Sequence, residues 1–436
     1  MNRLTHCPPD LIQKMAQTLS TATPLLPQDQ LEAFIRYYFN RRDRYLKLLE
    51  AYPAPLYILE SSVLKERARQ FMTAFDSVLP SVGFYYAVKC NNHPDVARVM
   101  LESGMGLDVS SGLELAMALS LNAQDIVFSG PGKTDAELDQ AVAHAGRVVV
   151  LMDSFGELHR LERAAAACKT TVRCGVRLSV NTHGLWRKFG IAPQDLPEFL
   201  DKARSCPHIR LVGLQFHSSW NLSPDPQAAF IQELGKQLEN LPESIKAQIE
   251  FIDIGGGYWP EQGEWLLSLG TPEGKLLEAL RSHPADCIRH RLPATPIKEF
   301  ARQVGAAIHS HLLPIVQCRI CLEPGRWICN DGMHLLISVV DKKDDDLVIT
   351  DAGTNAVGWE RFETDYCPVL NLTRPSLEER SCHILGSLCT PHDVWGYAYW
   401  GEAIHPGDIL MIPDQGAYTY SLRQKFIKPL PRVVTI

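Results

Sequence analysis

The stretch Phe84-Tyr85-Tyr86-Ala87-Val88-Lys89-Cys90-Asn91-Asn92 decides how this chain is read. Five apolar residues with no charge among them describe a strand buried on both faces, and a single amine follows at its C-terminal end. An amine held there can form an imine with an aldehyde or ketone, which makes Lys89 the first candidate for chemistry. Working outward, the same rhythm returns: apolar strands alternate with amphipathic helices. Strands are expected at Val82–Val88, Gly106–Ser110, Asp125–Ser129, Val148–Met152, Thr171–Leu178, Leu211–His217, Phe251–Ile254 and Ile315–Leu322. Eight such units are the count of a closed (β/α)8 TIM barrel, an α/β fold.

Lys89, Asp108, His217, Gly255-Gly256-Gly257 and Glu323 all fall near or just after the ends of these strands. In such barrels the C-terminal strand ends form the site, so residues far apart in sequence are expected around one mouth. Before the barrel, residues 1–55 read as a helical N-terminal extension: Leu31, Phe34, Ile35, Tyr38, Leu46 and Leu49 recur at helical spacing, and Pro53-Ala54-Pro55 ends it. The barrel is expected over 56–330, opening with a strand at Leu56–Leu59, and the segment 258–314 carries an insertion. Residues 331–436 read as a β-rich C-terminal domain with strands at Leu335–Val340, Leu347–Asp351, Ile384–Leu385, Asp408–Met411 and Lys428–Thr435.

The 436 residues are 45% hydrophobic and 21% charged, enough for a large core and two domains. A net charge of −7 and the lack of a basic stripe give no reason to expect a nucleic-acid partner. No 18-residue apolar stretch suggests a membrane span, and the first twenty residues show no apolar signal region. The 12 cysteines are dispersed, as reduced thiols in a cytoplasmic protein would be.

Three glycines after Phe251-Ile252-Asp253-Ile254 let backbone N–H groups close on an anion such as a phosphate. In Glu323-Pro324-Gly325-Arg326 a carboxylate and a guanidinium at a strand end can meet a ring nitrogen and a phosphate. His217 can stack on a ring or move a proton, and Asp108 can pair with a cation. Gly386–Asp393 brings a thiol, a hydroxyl, an imidazole and a carboxylate together, but at no spacing common to zinc modules, so no metal is expected. Gly130-Pro131-Gly132-Lys133-Thr134 is not a nucleotide P-loop, because Val127 stands where the pattern needs glycine.

Taken in order, Tyr86–Asn91, Gly106–Ser110, Lys188-Phe189-Gly190, Phe216-His217, Asp253–Gly257, Glu323–Arg326, Cys389 and Gly416-Ala417-Tyr418 resemble the barrel-type (fold-type III) pyridoxal-phosphate decarboxylases, the ornithine, arginine and diaminopimelate decarboxylase family, over roughly residues 55–430. The resemblance implies that Lys89 holds pyridoxal 5'-phosphate, that His217 stacks on its ring, and that Glu323 pairs with the ring nitrogen. Gly255, Gly256, Gly257, Arg326 and Tyr418 would hold the phosphate, with Asp108 and Ser219 completing the cofactor site. It also implies a homodimer with shared active sites, in which Cys389 reaches in from the partner to donate a proton. Lys188, Thr390, Asp393 and Trp359 would face a small amino-acid-like substrate.

The chain departs from the family in three places. Its usual His-x-Gly-Ser is here His217-Ser218-Ser219-Trp220, with Trp220 at the serine position. The acid that usually follows the cysteine is Thr390, and Asp351-Ala352-Gly353 leads to Gly358-Trp359-Glu360-Arg361 without the arginine-proline pair of the diaminopimelate branch. These changes point away from plain ornithine or diaminopimelate and toward a less common amino acid or a conjugate bearing an amino-acid end, as in siderophore biosynthesis. An amino-acid racemase and a non-catalytic pyridoxal-phosphate carrier are the alternatives. A racemase needs a second base, and known carriers resemble the barrel alone.

Overall fold

The computed structural model describes residues 9–20, 22–181, 183–280, 288–358 and 363–436. Eight parallel strands close into a barrel in the order Arg319–Leu322, Val82–Ala87, Gly106–Val109, Ile126–Phe128, Val148–Met152, Val172–Leu178, Ile209–Phe216 and Phe251–Asp253. All eight lie where the apolar runs predicted them. They read as continuous apolar runs because both faces are covered: Val148–Met152, for example, is buried at every position. Alternation along each strand still sorts the two faces. Tyr86, Leu107, Ile126, Phe128, Val148, Val150, Leu214 and Ile252 pack outward into the main core with the surrounding helices. Tyr85, Val127, Val149, Leu151, Phe251 and Cys321 form a separate cluster that fills the barrel.

The second sheet has eight strands, in the order Leu347–Thr350, Glu379–Leu385, Val394–Trp400, Leu370–Asn371, Ile409–Ile412, Met333–Asp344, Leu56–Leu59 and Arg432–Thr435. Leu56–Leu59 corrects the sequence reading, which opened the barrel with it. It pairs antiparallel with Met333–Asp344 and parallel with Arg432–Thr435, so the chain lays down one strand of the β-rich sheet before entering the barrel. The final strand begins at Arg432 rather than Lys428, and Val394–Trp400 is a strand that the sequence reading missed. The segment between the last two barrel strands holds a hairpin of Glu264–Leu267 and Arg289–Leu292, then the helix Ile297–His311. Among the described residues, no helix is long and apolar enough to cross a membrane.

The N-terminal helices Gln28–Phe39 and Arg42–Leu48 cover the second sheet. Leu31, Ile35, Tyr38 and Tyr45 share a buried cluster with Leu56, Ile58, Leu336, Leu370, Trp400 and Met411. A buried carboxylate anchors them: Glu60 accepts hydrogen bonds from Tyr45 Oη at 2.6 Å and Arg44 Nη1 at 2.9 Å, with His334 Nε2 at 3.3 Å. Burial alone would raise the Glu60 carboxyl, but hydrogen bonds from His334 and Tyr45 and the charges of His334 and Arg44 outweigh it and bring it down to about 2. A carboxyl lowered on folding stabilises the fold above its unfolded value and loses that contribution as pH falls toward the folded value. Glu60 therefore stabilises the fold above about pH 4.5, and that contribution fades between there and pH 2. Denaturant unfolding of the parent and Glu60→Gln at stepped pH checks this: the difference in stability is expected to shrink across that window.

Candidate active site

The alternation that sorts the barrel strands also fills the top layer of its interior. With Leu107 and Val109, Val176 and Leu178, Leu214 and Phe216, and Ile252 and Ile254 facing the helices, the residues between them point inward: Asp108, Arg177, Gln215 and Asp253. Arg177 stands in register with Gln215, and Gln215 with Asp253. Glu323, one residue past the end of Arg319–Leu322, joins this layer and accepts from Gln215 Nε2 at 3.2 Å. The sequence analysis gives Arg177, Gln215 and Asp253 no role in the site, although strand parity alone marks them: each is polar at an inward position of an apolar strand.

Lys89 sits in a short turn, Val88–Cys90, just beyond the strand Val82–Ala87. Its Nζ donates to Asp108 Oδ2 at 2.5 Å, and Asp108 Oδ1 accepts from Ser129 Oγ at 2.5 Å. Burial would lower the Lys89 amine, but the charges of Asp108 and Glu323 override it and hold the amine above its ordinary value. Backbone contacts join the motifs around the mouth. Ala87 N donates to Pro324 O at 3.1 Å, Glu323 N to Gly255 O at 2.9 Å, and Tyr418 N to Cys90 O at 2.8 Å. Gly256 N donates to His217 Nδ1 at 3.1 Å. Lys89, Glu323, the glycine loop, His217 and Tyr418 thus form one stitched assembly.

His217 has both ring nitrogens engaged, since Nε2 lies 3.3 Å from Ser219 Oγ. Burial, then the charges of Lys89 and Arg177, hold its imidazole well below the usual range, so it is neutral. A neutral ring fixed at both nitrogens suits a stacking wall better than a proton shuttle. Burial, then Asp108 and Asp253, push the Glu323 carboxyl well above its usual range. Asp253 is pushed up to about 7, first by burial. A basic carboxylate in this layer is a strong acceptor for a protonated ring nitrogen.

The glycine loop is built by close approach. Gly255 and Gly257 have φ of +71° and +87°, and a Cβ on Gly256 would fall on the carbonyl oxygen of Glu323. Arg326 has no carboxylate partner among the described residues; its guanidinium lies 4.4 Å from the Trp259 ring and 5.1 Å from that of Tyr418. The Ser219 hydroxyl is occupied by His217, whereas Ser218 Oγ is buried without a hydrogen-bond partner. At the rebuilt serine position, Trp220 takes φ +57°, is 55% exposed, and turns its Nε1 to Glu264 Oε1 at 3.3 Å. An amine paired with a carboxylate, a basic carboxyl, a flat neutral imidazole, a crowded glycine loop, a free guanidinium and an orphaned hydroxyl fit pyridoxal phosphate at its aldehyde, ring nitrogen, ring face and phosphate.

The residues expected at the substrate end are placed less uniformly. Lys188 is exposed in the turn Gly184–Lys188, with Nζ 5.5 Å from the Phe189 ring. Cys389 is exposed and makes no hydrogen bond among the described residues, and Thr390 beside it is half-buried. Asp393 corrects the expectation of a substrate contact. It is buried, with Oδ1 accepting from Thr354 N at 2.7 Å and Oδ2 from Leu388 N at 2.7 Å, so it braces the loop that presents Cys389. Trp359 lies outside the described residues.

The family model of the pyridoxal-dependent decarboxylase pyridoxal-binding domain matches residues 62–330. The chain belongs to this family. It is a pyridoxal-phosphate-dependent carboxy-lyase acting on an amino-acid substrate, with pyridoxal 5'-phosphate as its cofactor. A diaminopimelate decarboxylase of Methanothermobacter thermautotrophicus is 28% identical over 408 residues, covering 90% of this chain and 88% of the relative. The L-glutamyl-[BtrI acyl-carrier protein] decarboxylase of Niallia circulans is 25% identical, covering 86% of each. Among solved structures, Helicobacter pylori diaminopimelate decarboxylase complexed with L-lysine superposes with a TM-score of 0.74 at 22% identity, covering 90% of this chain and 94% of that one. Vibrio vulnificus lysine/ornithine decarboxylase complexed with putrescine gives 0.73 at 23%, covering 91% and 98%. These two share the fold of this pyridoxal-dependent decarboxylase.

Proposed function

We propose that this decarboxylase removes the α-carboxylate from a less common amino acid, or from the amino-acid end of a larger conjugate such as a siderophore intermediate, releasing an amine and carbon dioxide. The observation that carries the reading is the Lys89–Asp108 pair set in one buried layer with Glu323. When bound, pyridoxal phosphate supplies an aldehyde carbon for the amine and a ring that draws in the electrons of the Cα–carboxylate bond. Lys89 would hold the aldehyde carbon, and Asp108 would keep the lysine ammonium paired whenever that amine is free. Glu323 would pair with the ring nitrogen, and the neutral His217 would lie against the face of the ring and hold its place. Gly255 to Gly257, Arg326, Tyr418 and the Ser218 hydroxyl grip the phosphate.

Cys389, exposed on its braced loop, enters the site of a second copy and protonates Cα, so the working unit is a homodimer. The ten described cysteines are all free thiols, which supports a reducing, cytoplasmic setting. Thr390 in place of an acid removes a negative charge from the substrate end, which argues against a distal ammonium there. The name of the Niallia circulans relative shows an amino-acyl group carried on a larger body, which supports a conjugate as substrate here.

The test is carbon dioxide release by the cofactor-loaded protein across L- and D-amino acids, diamino acids and citrate-conjugated diamino acids. A conjugate or uncommon amino acid is expected to turn over fastest. Efficient turnover of ornithine, lysine or diaminopimelate would sink the substrate reading.

A further inference from the structure

The residues between the strand Ile409–Ile412 and Tyr418 run through two unfavourable backbone positions: Asp414 at φ +56° and Tyr418 at φ +58°, neither of them glycine. Such conformations persist only where the surroundings over-determine them. At the Tyr418 end the restraint comes from the catalytic side: Tyr418 N donates to Cys90 O at 2.8 Å, and Asn91 Nδ2 donates to Gly416 O at 3.0 Å. The middle is held by Gln415 N on Met333 O at 2.7 Å and Gly416 N on Asn330 O at 3.0 Å.

At the Asp414 end the restraint comes from the N-terminal helix. Tyr38, 2% exposed, donates its hydroxyl to Asp414 Oδ1 at 2.5 Å. Asp414 N donates to His334 Nδ1 at 3.2 Å, and the Nε2 of the same ring meets Glu60, the anchor of Tyr45 and Arg44. Burial, then Asp331, push the Asp414 carboxyl up to about 6, against the pull of His334, Tyr38 and Arg67.

We propose that the N-terminal helical segment is a positioning element of the cofactor site, acting through the Tyr38–Asp414 hydrogen bond on the loop that carries Tyr418. Tyr38 touches neither cofactor nor substrate; it fixes the turn that aims Tyr418 beside Arg326. The inference rests on the reading of Tyr418 as a phosphate holder.

The experiment titrates pyridoxal phosphate into the full chain, reading visible absorbance well below the melting temperature of every variant. Tyr38→Phe and Asp414→Asn are each expected to weaken cofactor affinity about five- to tenfold, with no further loss when combined. Leu31→Ala, which cuts the buried apolar face of the same helix, is expected to lower the melting temperature at least as far as Tyr38→Phe does, yet leave affinity within about twofold. Unchanged affinity in Tyr38→Phe, or an equal loss in Leu31→Ala, would overturn the positioning role. Tyr418→Phe separates the two claims. If it leaves affinity unchanged, the phosphate reading fails; if it weakens affinity while Tyr38→Phe does not, only the present inference fails.

Discussion

Lys89→Ala is expected to abolish lysine-dependent cofactor absorbance and to cut carbon dioxide release by about 10³-fold or more. Lys133, the other buried amine beyond the barrel strands, is tied to Glu157 at 2.7 Å and to the carbonyls of Gly130 and Leu151, so it is not free to take over. The substitution also leaves Asp108 buried with only Ser129 on its other oxygen, and a buried charge that loses its partner is costly. Lys89→Arg separates the two effects. The guanidinium keeps a cation opposite Asp108 and so preserves stability, but it does not form the imine, and release is expected to fall as far as in Lys89→Ala. Thermal unfolding beside the activity assay distinguishes lost chemistry from lost fold. Retained turnover in Lys89→Arg would remove Lys89 from the mechanism.

Glu323→Gln is expected to lower kcat by about 10²- to 10³-fold while changing KM by less than about threefold. The substitution conserves shape, and its amide can still meet Gln215 at the position where Glu323 Oε1 accepts at 3.2 Å. What disappears is the negative charge that keeps the ring nitrogen protonated. That charge matters most as electrons flow into the ring, so its loss falls on the transition state rather than on binding. Burial, Asp108 and Asp253 make Glu323 unusually basic, which strengthens its hold on that proton. Steady-state kinetics with any accepted substrate measure the split. A rise in KM with kcat unchanged would make Glu323 a binding residue and leave the electron sink without its proposed support.

The barrel was legible because strands covered on both faces cannot hide their apolar runs, and each of the eight fell where such a run predicted. Lys89, His217, the three glycines and Glu323 were legible because each breaks such a run at its C-terminal end, and Asp108 because it is the one charge inside a short apolar strand. Arg177, Gln215 and Asp253 escaped because they lie inside the strands, where only parity separates the barrel interior from the helix face. Leu56–Leu59 was misplaced because a buried strand of four apolar residues looks the same whichever sheet receives it; its partners, Met333–Asp344 and Arg432–Thr435, are remote in sequence. The family resemblance put Asp393, four residues after Cys389, at the substrate. Only the folded loop shows both its oxygens turned to backbone N–H groups. The tie from Tyr38 to Asp414 spans 376 positions and leaves no local pattern at all.

The most direct test of the central claim is the fate of Cα when the cofactor-loaded protein turns over a carboxyl-labelled substrate in deuterium oxide. The account predicts one labelled carbon dioxide per amine formed, with a single deuterium at the former Cα, and neither product in Lys89→Ala. Deuterium entering Cα while the labelled carboxylate stays in place would contradict it and point to racemisation.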